Sequence, residues 1–220
     1  MTGARASLTA EGVTYAYRAG EPIVRDWGAA FPGGSVTALT GPSGVGKSTL
    51  LYVLGLMLKP QAGRVRLDGR PVSDLSDAQR SRLRAYEFGF VFQDAALDAT
   101  RTVLDNVIET ALYRDQPRRQ AVREARTLLE RFDVGVRSGH RPGQISGGQA
   151  QRIALCRALL AAPKVVLADE PTGNLDQATA DVVITALRER AEAGGCVVIA
   201  THDPSVVQRC DQRFDLGGAP

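Results

Sequence analysis

Two short uninterrupted apolar runs, Val165-Val166-Leu167-Ala168 and Cys196-Val197-Val198-Ile199-Ala200, flank a stretch from about Gln177 to Ala193 with helical spacing. Strands covered on both faces read as continuous apolar runs, and two of them joined by a helix form a βαβ unit with parallel strands. The N-terminal part is different. Val13, Tyr15 and Tyr17 alternate with small or polar residues, and Arg64-Val65-Arg66-Leu67 alternates like an edge strand that turns at Asp68-Gly69. Between these, Pro32-Gly33-Gly34 turns the chain into Ser35-Val36-Thr37-Ala38-Leu39-Thr40, a buried strand. Ser48 to Leu58 follows with the length and leucine content of a helix closed by Lys59-Pro60. From about Asp94 to Leu160 there is no strand-like alternation. Leu104, Val107, Ile108 and Ala111, then Val122, Ala125, Leu128, Leu129 and Phe132, recur at helical spacing. The pattern predicts an α/β fold with a mostly parallel sheet, an antiparallel β element near the N-terminus and a helical insert.

Composition narrows the class. At 220 residues, 44% hydrophobic and 23% charged, the chain has ordinary globular proportions and fits one compact domain with a subdomain. The longest strongly apolar uncharged run, Ser48 to Leu58, is too short to cross a bilayer, and no signal-like stretch opens the sequence, so a cytosolic location is expected. A net charge of +3 admits a nucleic-acid surface, but basic and acidic residues alternate from Arg114 to Arg131 as on a solvated helix face, and no direct nucleic-acid partner is expected. Cys156, Cys196 and Cys210 form no C-x-x-C pair and read as small core residues in a reducing compartment. His140 reads as loop surface, and the Gly217-to-Pro220 tail as a frayed end.

The chemistry begins where the Ser35–Thr40 strand meets the helix. Gly41, Pro42, Ser43, Gly44, Val45, Gly46, Lys47 and Ser48 satisfy G-x-x-x-x-G-K-[ST] in the strand–loop–helix context that motif requires. Glycines let successive backbone N–H groups converge on phosphate oxygens at the helix N-terminus, while Lys47 reaches the β and γ phosphates and Ser48 holds Mg²⁺. With three lysines in the chain, chance produces this pattern in about 0.3% of sequences of this composition. Val165-Val166-Leu167-Ala168-Asp169-Glu170 ends a buried strand on two acids, at the end where parallel sheets place ligands. Asp169 suits the Mg²⁺ shell and Glu170 the polarisation of an attacking water. Ser146 caps a third element, with Gly147, Gly148 and Gln149 opening the Ala/Leu-rich run from Ala150 to Ala162.

In this order the motifs resemble those of the ATP-binding subunits of ABC transporters, over nearly the whole chain. The resemblance implies that Tyr17 stacks on adenine, that Gly41 to Thr49 form the Walker A loop, and that Gln93 sits at the junction with the helical subdomain and joins catalysis and the metal shell. It further implies that Ser146 to Gln149 form the family signature, that Asn174-Leu175-Asp176 crosses to the partner subunit, and that His202 senses the γ-phosphate. Residues 1–92 and 161–220 would form the nucleotide-binding core and 93–160 the helical subdomain. The implied protein binds MgATP as a homodimer or heterodimer of ATP-binding subunits and powers a separately encoded membrane permease, on the inner face of the plasma membrane. An exporter or extractor is the expected type. A regulatory module gating a non-transport membrane partner is the alternative. Ala168 to Asp176 with Gly89-Phe90-Val91-Phe92-Gln93 is similar to the group serving lipoprotein release, macrolide and peptide efflux, and cell division. Ile145 and Cys156 depart from the family pattern by small apolar changes. Ala95 and Arg101 replace an aromatic and a leucine, and are expected to line the groove that docks the permease.

Overall fold

The computed structural model describes residues 7–173 and 175–217, so Asn174 and the last three residues of the expected frayed end lie outside it. Two sheets make the frame. The first is antiparallel, in the order β2-β1-β4-β5, built from β1 (Ser7–Tyr15), β2 (Val24–Pro32), β4 (Ala62–Leu67) and β5 (Arg70–Pro71). The second is parallel, in the order β6-β7-β8-β3-β9, from β3 (Ser35–Thr40), β6 (Phe88–Val91), β7 (Val165–Asp169), β8 (Cys196–Ala200) and β9 (Gln212–Asp215). Helix α1 (Lys47–Leu54) follows β3, α2 (Asp77–Glu87) precedes β6, α6 (Gln177–Glu192) joins β7 to β8, and α7 (Pro204–Val207) follows β8. Between β6 and β7 every described element is helical: α3 (Val103–Val107), α4 (Arg118–Arg131), α5 (Gly147–Leu159) and three short 3₁₀ turns.

The two apolar runs behave as their lack of alternation implies. Every residue of β7 and β8 is buried, and successive side chains enter two different cores. Val166, Ala168, Val197 and Ile199 pack with α3 to α6, whereas Val165, Leu167, Cys196, Val198 and Ala200 pack with α1 and the antiparallel sheet. The parallel sheet is therefore the shared wall between the helical layer and the N-terminal layer. Burial pushes the Cys156 and Cys196 thiols up to about 12 and Cys210 up to about 11, which keeps them protonated. Cys210 is half-buried, and His140 sits half-buried in a loop with Nε2 3.3 Å from Arg137 Nη1.

Three local expectations are corrected. Helix α1 stops at Leu54 instead of Leu58, with Gly55 at its cap and a left-handed residue next; Phe90 and Leu167 crowd Gly55, where a Cβ would lie 2.5 Å from the Phe90 ring. The chain turns there and Leu56, at φ +61°, is buried. Strand β4 is not at the edge, since it pairs with β1 on one side and β5 on the other. Ala95 does not line a groove: it is 3% exposed and its carbonyl accepts from Arg157 Nη2 at 2.8 Å. Arg101 is half-buried and ion-paired with Asp98 and Glu109, which leaves its expected placement uncorrected.

Strand β6 and helix α5 approach closely at Gly89, where a Cβ would stand 2.4 Å from the carbonyl oxygen of Ala158. Backbone cannot yield as a side chain does. Gly89→Ala is expected to destabilise the fold by about 1–3 kcal/mol through overpacking, which lowers the thermal midpoint by roughly 2–10 °C for a chain of this size. Thermal denaturation followed by circular dichroism measures it, and an unchanged midpoint would contradict the close packing of these two elements.

Candidate active site

The order β6-β7-β8-β3 puts four carboxyl-terminal strand ends in a row. Each delivers one part of the site: the loop after β6 carries Gln93, β7 ends in Asp169 and Glu170, β8 leads into Thr201 and His202, and β3 opens into the loop from Gly41 to Gly46. Registers align these ends, with Asp169 and Leu39 both opposite Ala200 and Val91 opposite Ala168. In an open parallel sheet this end is where ligands bind.

The phosphate loop is shaped by glycine. Gly41, Gly44 and Gly46 all have positive φ. Gly46, the residue capping α1, is pressed against Ile23, whose Cγ2 would stand 2.6 Å from any added Cβ. Lys47 is 9% exposed and its Nζ donates to the carbonyls of Gly41 (2.8 Å) and Pro42 (3.1 Å), so the ammonium is held inside the loop's concavity. Thr49 is buried behind it. Pro42, Ser43 and Gly44 are exposed, and Val45 is half-buried.

Ser48, Gln93 and Asp169 line one cavity of about 430 Å³, together with Tyr52, Phe92, Asp94 and Ala96. Asp169 is 5% exposed, and that burial pushes its carboxyl above the usual carboxylate range; the hydrogen bond from Ser48 opposes the shift, the neighbouring Glu170 adds to it, and the Lys47 charge opposes it. Glu170 adopts a left-handed backbone, φ +44°, with its N–H on the Ala200 carbonyl at 2.9 Å. A non-glycine residue in that conformation is uncommon and clusters at functional sites. Its Oε1 lies 2.7 Å from His202 Nδ1 and its Oε2 accepts from Thr201 Oγ1 at 3.2 Å. A second cavity, of about 620 Å³, is lined by Gly41, Pro42, His202, Gln208, Arg213 and Asp215 among others.

Other sequence-identified residues stand apart from this cluster. Tyr17, 60% exposed and edge-on to Tyr15, lines a surface cavity with Arg18 and Ile23, and Ile23 brings that cavity against Gly46. Ser146, Gly147, Gly148 and Gln149 open α5 with a reciprocal capping box: Ser146 Oγ accepts from the Gln149 N–H, and Gln149 Oε1 accepts from the Ser146 N–H. None of the four lines the 430 or 620 Å³ cavities. Asp176 caps α6, and two hydrogen bonds from Thr179 hold its carboxyl below the usual range. Sequence reasoning passed over Thr201, Tyr52 and Asp94. For Thr201 a signal existed, a hydroxyl immediately before His202 at the end of a buried strand, and Asp94 directly follows Gln93; Tyr52 enters only through tertiary packing.

Comparison with known proteins agrees with this geometry. The family model described as ABC transporter matches residues 24–173. The lipoprotein-releasing system ATP-binding protein LolD of Cereibacter sphaeroides is 43% identical, over 96% of this chain and 97% of its own length. The macrolide export ATP-binding/permease protein MacB 1/2 of Paracoccus denitrificans is 44% identical over 93% of this chain, which corresponds to 31% of that larger protein. Among solved structures, the dimeric post-hydrolysis state of the ATP-binding cassette MJ0796 bound to ADP and Pi superposes with a TM-score of 0.87 at 32% identity, covering 96% of this chain and 94% of that one. A phosphate loop and an acid pair on the ends of two strands that flank β8, with a family match over most of the chain, lead to one conclusion: this chain belongs to the ABC transporter family, as one of its ATP-hydrolysing cassettes.

Proposed function

We propose that this cassette pairs with a second ATP-binding subunit, closes on MgATP, and uses its hydrolysis to drive a separately encoded membrane permease of the exporter or extractor type. The observation that carries the reading is the row of strand ends that gathers Lys47, Ser48, Gln93, Asp169, Glu170 and His202 around the phosphate loop. In it, loop amides and Lys47 bind the β and γ phosphates. Glu170 takes the proton of a water whose oxygen bonds to the γ-phosphorus as the bond from that phosphorus to the β–γ bridging oxygen breaks, giving ADP and phosphate. His202, in contact with Glu170, faces the γ-phosphate. Ser48, Gln93 and Asp169 offer a hydroxyl, an amide carbonyl and a carboxylate to one cavity, which is the hard oxygen set that Mg²⁺ takes, and they would hold it. When bound, the ion neutralises charge on the phosphate oxygens.

The residues outside the cluster fit the paired arrangement. Ser146 and Gly147 present an exposed helix start suited to an anion, and none of Ser146 to Gln149 lines the two cavities beside the phosphate loop, which supports the reading that they face the γ-phosphate held by the partner copy. The loop of Leu175 and Asp176 packs beside them, Leu175 lying 3.7 Å from the place of a Gly148 Cβ. Tyr17 offers an exposed ring to adenine. The dimeric state of MJ0796 with ADP and Pi supports the pairing, and LolD and MacB support a membrane partner. Among the described residues no helix is long and apolar enough to cross a membrane, and attachment to the inner face of the plasma membrane then runs through the permease. The surface that suits it is a groove of about 760 Å³ with a floor of stacked Phe88, Phe90 and Phe92 and a rim that includes Met57, Leu112 and Tyr113.

Glu170→Gln should retain ATP binding yet lose more than about 100-fold in turnover, the range for a general base; steady-state hydrolysis beside calorimetric ATP titration decides it, and near-normal turnover would sink the assignment. Lys47→Ala should weaken ATP binding by about 10- to 150-fold, the loss of a charge-assisted hydrogen bond of roughly 1.5–3 kcal/mol, and unchanged affinity by calorimetry would refute the role. A Met57→Arg, Leu112→Arg variant should keep the hydrolysis rate of the isolated cassette while no longer co-purifying with its permease. Retained co-purification would place the dock elsewhere.

A further inference from the structure

Thr201 is the first residue beyond β8 and is fully buried. Its N–H donates to the Leu39 carbonyl at 3.0 Å, which ties it to the end of β3. Its Oγ1 accepts the Asp203 N–H at 3.0 Å. A hydroxyl has one proton to give, burial keeps solvent from accepting it, and the acceptor it finds is Glu170 Oε2 at 3.2 Å. The Glu170 carboxylate is thus reached by two consecutive residues from the neighbouring strand end, Thr201 at Oε2 and His202 at Oε1. The two differ in freedom. The His202 side chain is 71% exposed, whereas Thr201 is pinned on both sides by backbone hydrogen bonds.

We propose that Thr201 is a positioning residue for ATP hydrolysis, its buried hydroxyl fixing the orientation of the Glu170 carboxylate toward the attacking water. The proposal rests on the reading of Glu170 as the base. A glutamate side chain has three rotatable bonds, and holding its carboxylate in one productive orientation removes a freedom that otherwise lowers the fraction of competent encounters. Because His202 leaves one oxygen to Thr201, loss of the hydroxyl frees the carboxylate to rotate about its contact with the histidine. Nucleotide affinity is set by Lys47 and the loop amides, which Thr201 does not touch.

The full chain is tested with Thr201→Val, which keeps the shape and removes the hydroxyl, and Thr201→Ser, which keeps the hydroxyl. Thr201→Val should lower kcat about tenfold, equivalent to about 1.4 kcal/mol, with KM for ATP within about twofold. Thr201→Ser should recover at least half of the wild-type kcat. In a Glu170→Gln background, measured by single turnover, Thr201→Val should bring no further fall, because it acts through the group already removed. If Thr201→Val does not fold, Thr201→Ala undergoes the same measurements. A wild-type kcat in the hydroxyl-free variant, a serine variant as slow as it, a parallel loss of ATP affinity, or an additional tenfold fall in the Glu170→Gln background would each overturn the proposal. Normal turnover of Glu170→Gln alone would instead remove the base reading, an outcome separable from any result on Thr201.

Discussion

A carboxylate buried at the end of a strand covered on both faces is costly, and the site is organised around offsetting that cost at Asp169. Every residue of β7 is buried, and burial is the largest influence on the Asp169 carboxyl, driving it toward protonation. The Ser48 hydroxyl and the Lys47 charge push the other way, and both come from the first turn of α1, which the phosphate loop aims at this strand end. Glu170, one residue on, adds a second acid and raises the cost. The chain answers by turning Glu170 out of line through a left-handed backbone and giving its carboxylate separate partners, Thr201 and His202. The two acids are thus assigned different surroundings: one faces α1 and the other faces the end of β8.

That division depends on strand order rather than on sequence proximity. β7 lies between β6 and β8, so the acids it carries meet the loop after β6 on one flank and the Thr201-His202 pair on the other. The parallel sheet stays flush at this end because its registers run without a bulge from Ser35 opposite Cys196 to Leu39 opposite Ala200, and from Val165 opposite Cys196 to Asp169 opposite Ala200. A one-residue slip of β8 would exchange its two faces between the two cores, sending Val197 and Ile199 into the layer that now receives Cys196 and Val198. Both cores are apolar, so size complementarity as well as polarity fixes that register.

What was legible in the sequence is what local chemistry dictates. The phosphate loop, the acid pair closing a buried run and the Ser146 cap each announce themselves within a dozen residues, the βαβ unit is a run of consecutive elements, and α6 and β8 begin and end within a residue of their expected bounds. Strand β2 escaped because only its first and eighth residues are buried, and the alternation of partly buried and exposed positions from Trp27 to Ala30 is carried by Gly28, Ala29 and Ala30, whose residue types do not alternate in polarity. Helix α2 has no buried residue, so its apolar pattern carries no signal, and only the Ser76–Gln79 capping box marks its start. Strand β6 is four residues long, below the length at which a run separates from a loop. The contact of Glu170 with His202 spans 32 residues of sequence and belongs to strand order. The expectation for Ala95 failed for a related reason: family position suggested a surface, whereas its side chain is turned inward by a backbone conformation that its residue type does not advertise.

That conformation leads to the link between the helical layer and the site. Ala95 and Ala96 are consecutive left-handed residues, at φ +61° and +45°, and each costs of order 1 kcal/mol or more for an alanine. They persist because α5 holds them. Arg157 donates to both carbonyls, at 2.8 Å to Ala95 and 2.7 Å to Ala96, and Gln151 on the same helix donates to the Phe92 carbonyl at 3.2 Å. Gln93 and Asp94 therefore sit in a loop clamped on both sides by one helix, and that helix begins at Ser146. The clamp leaves little freedom for independent movement: a shift of α5 along the sheet must either break three hydrogen bonds to the loop or carry the loop with it. The close approach of α5 to the sheet at Gly89 lies just upstream of that loop and resists such a shift. Since Arg157 and Phe92 also line the apolar groove, the residues that would feel an occupant of the groove are the ones that fix the position of Gln93.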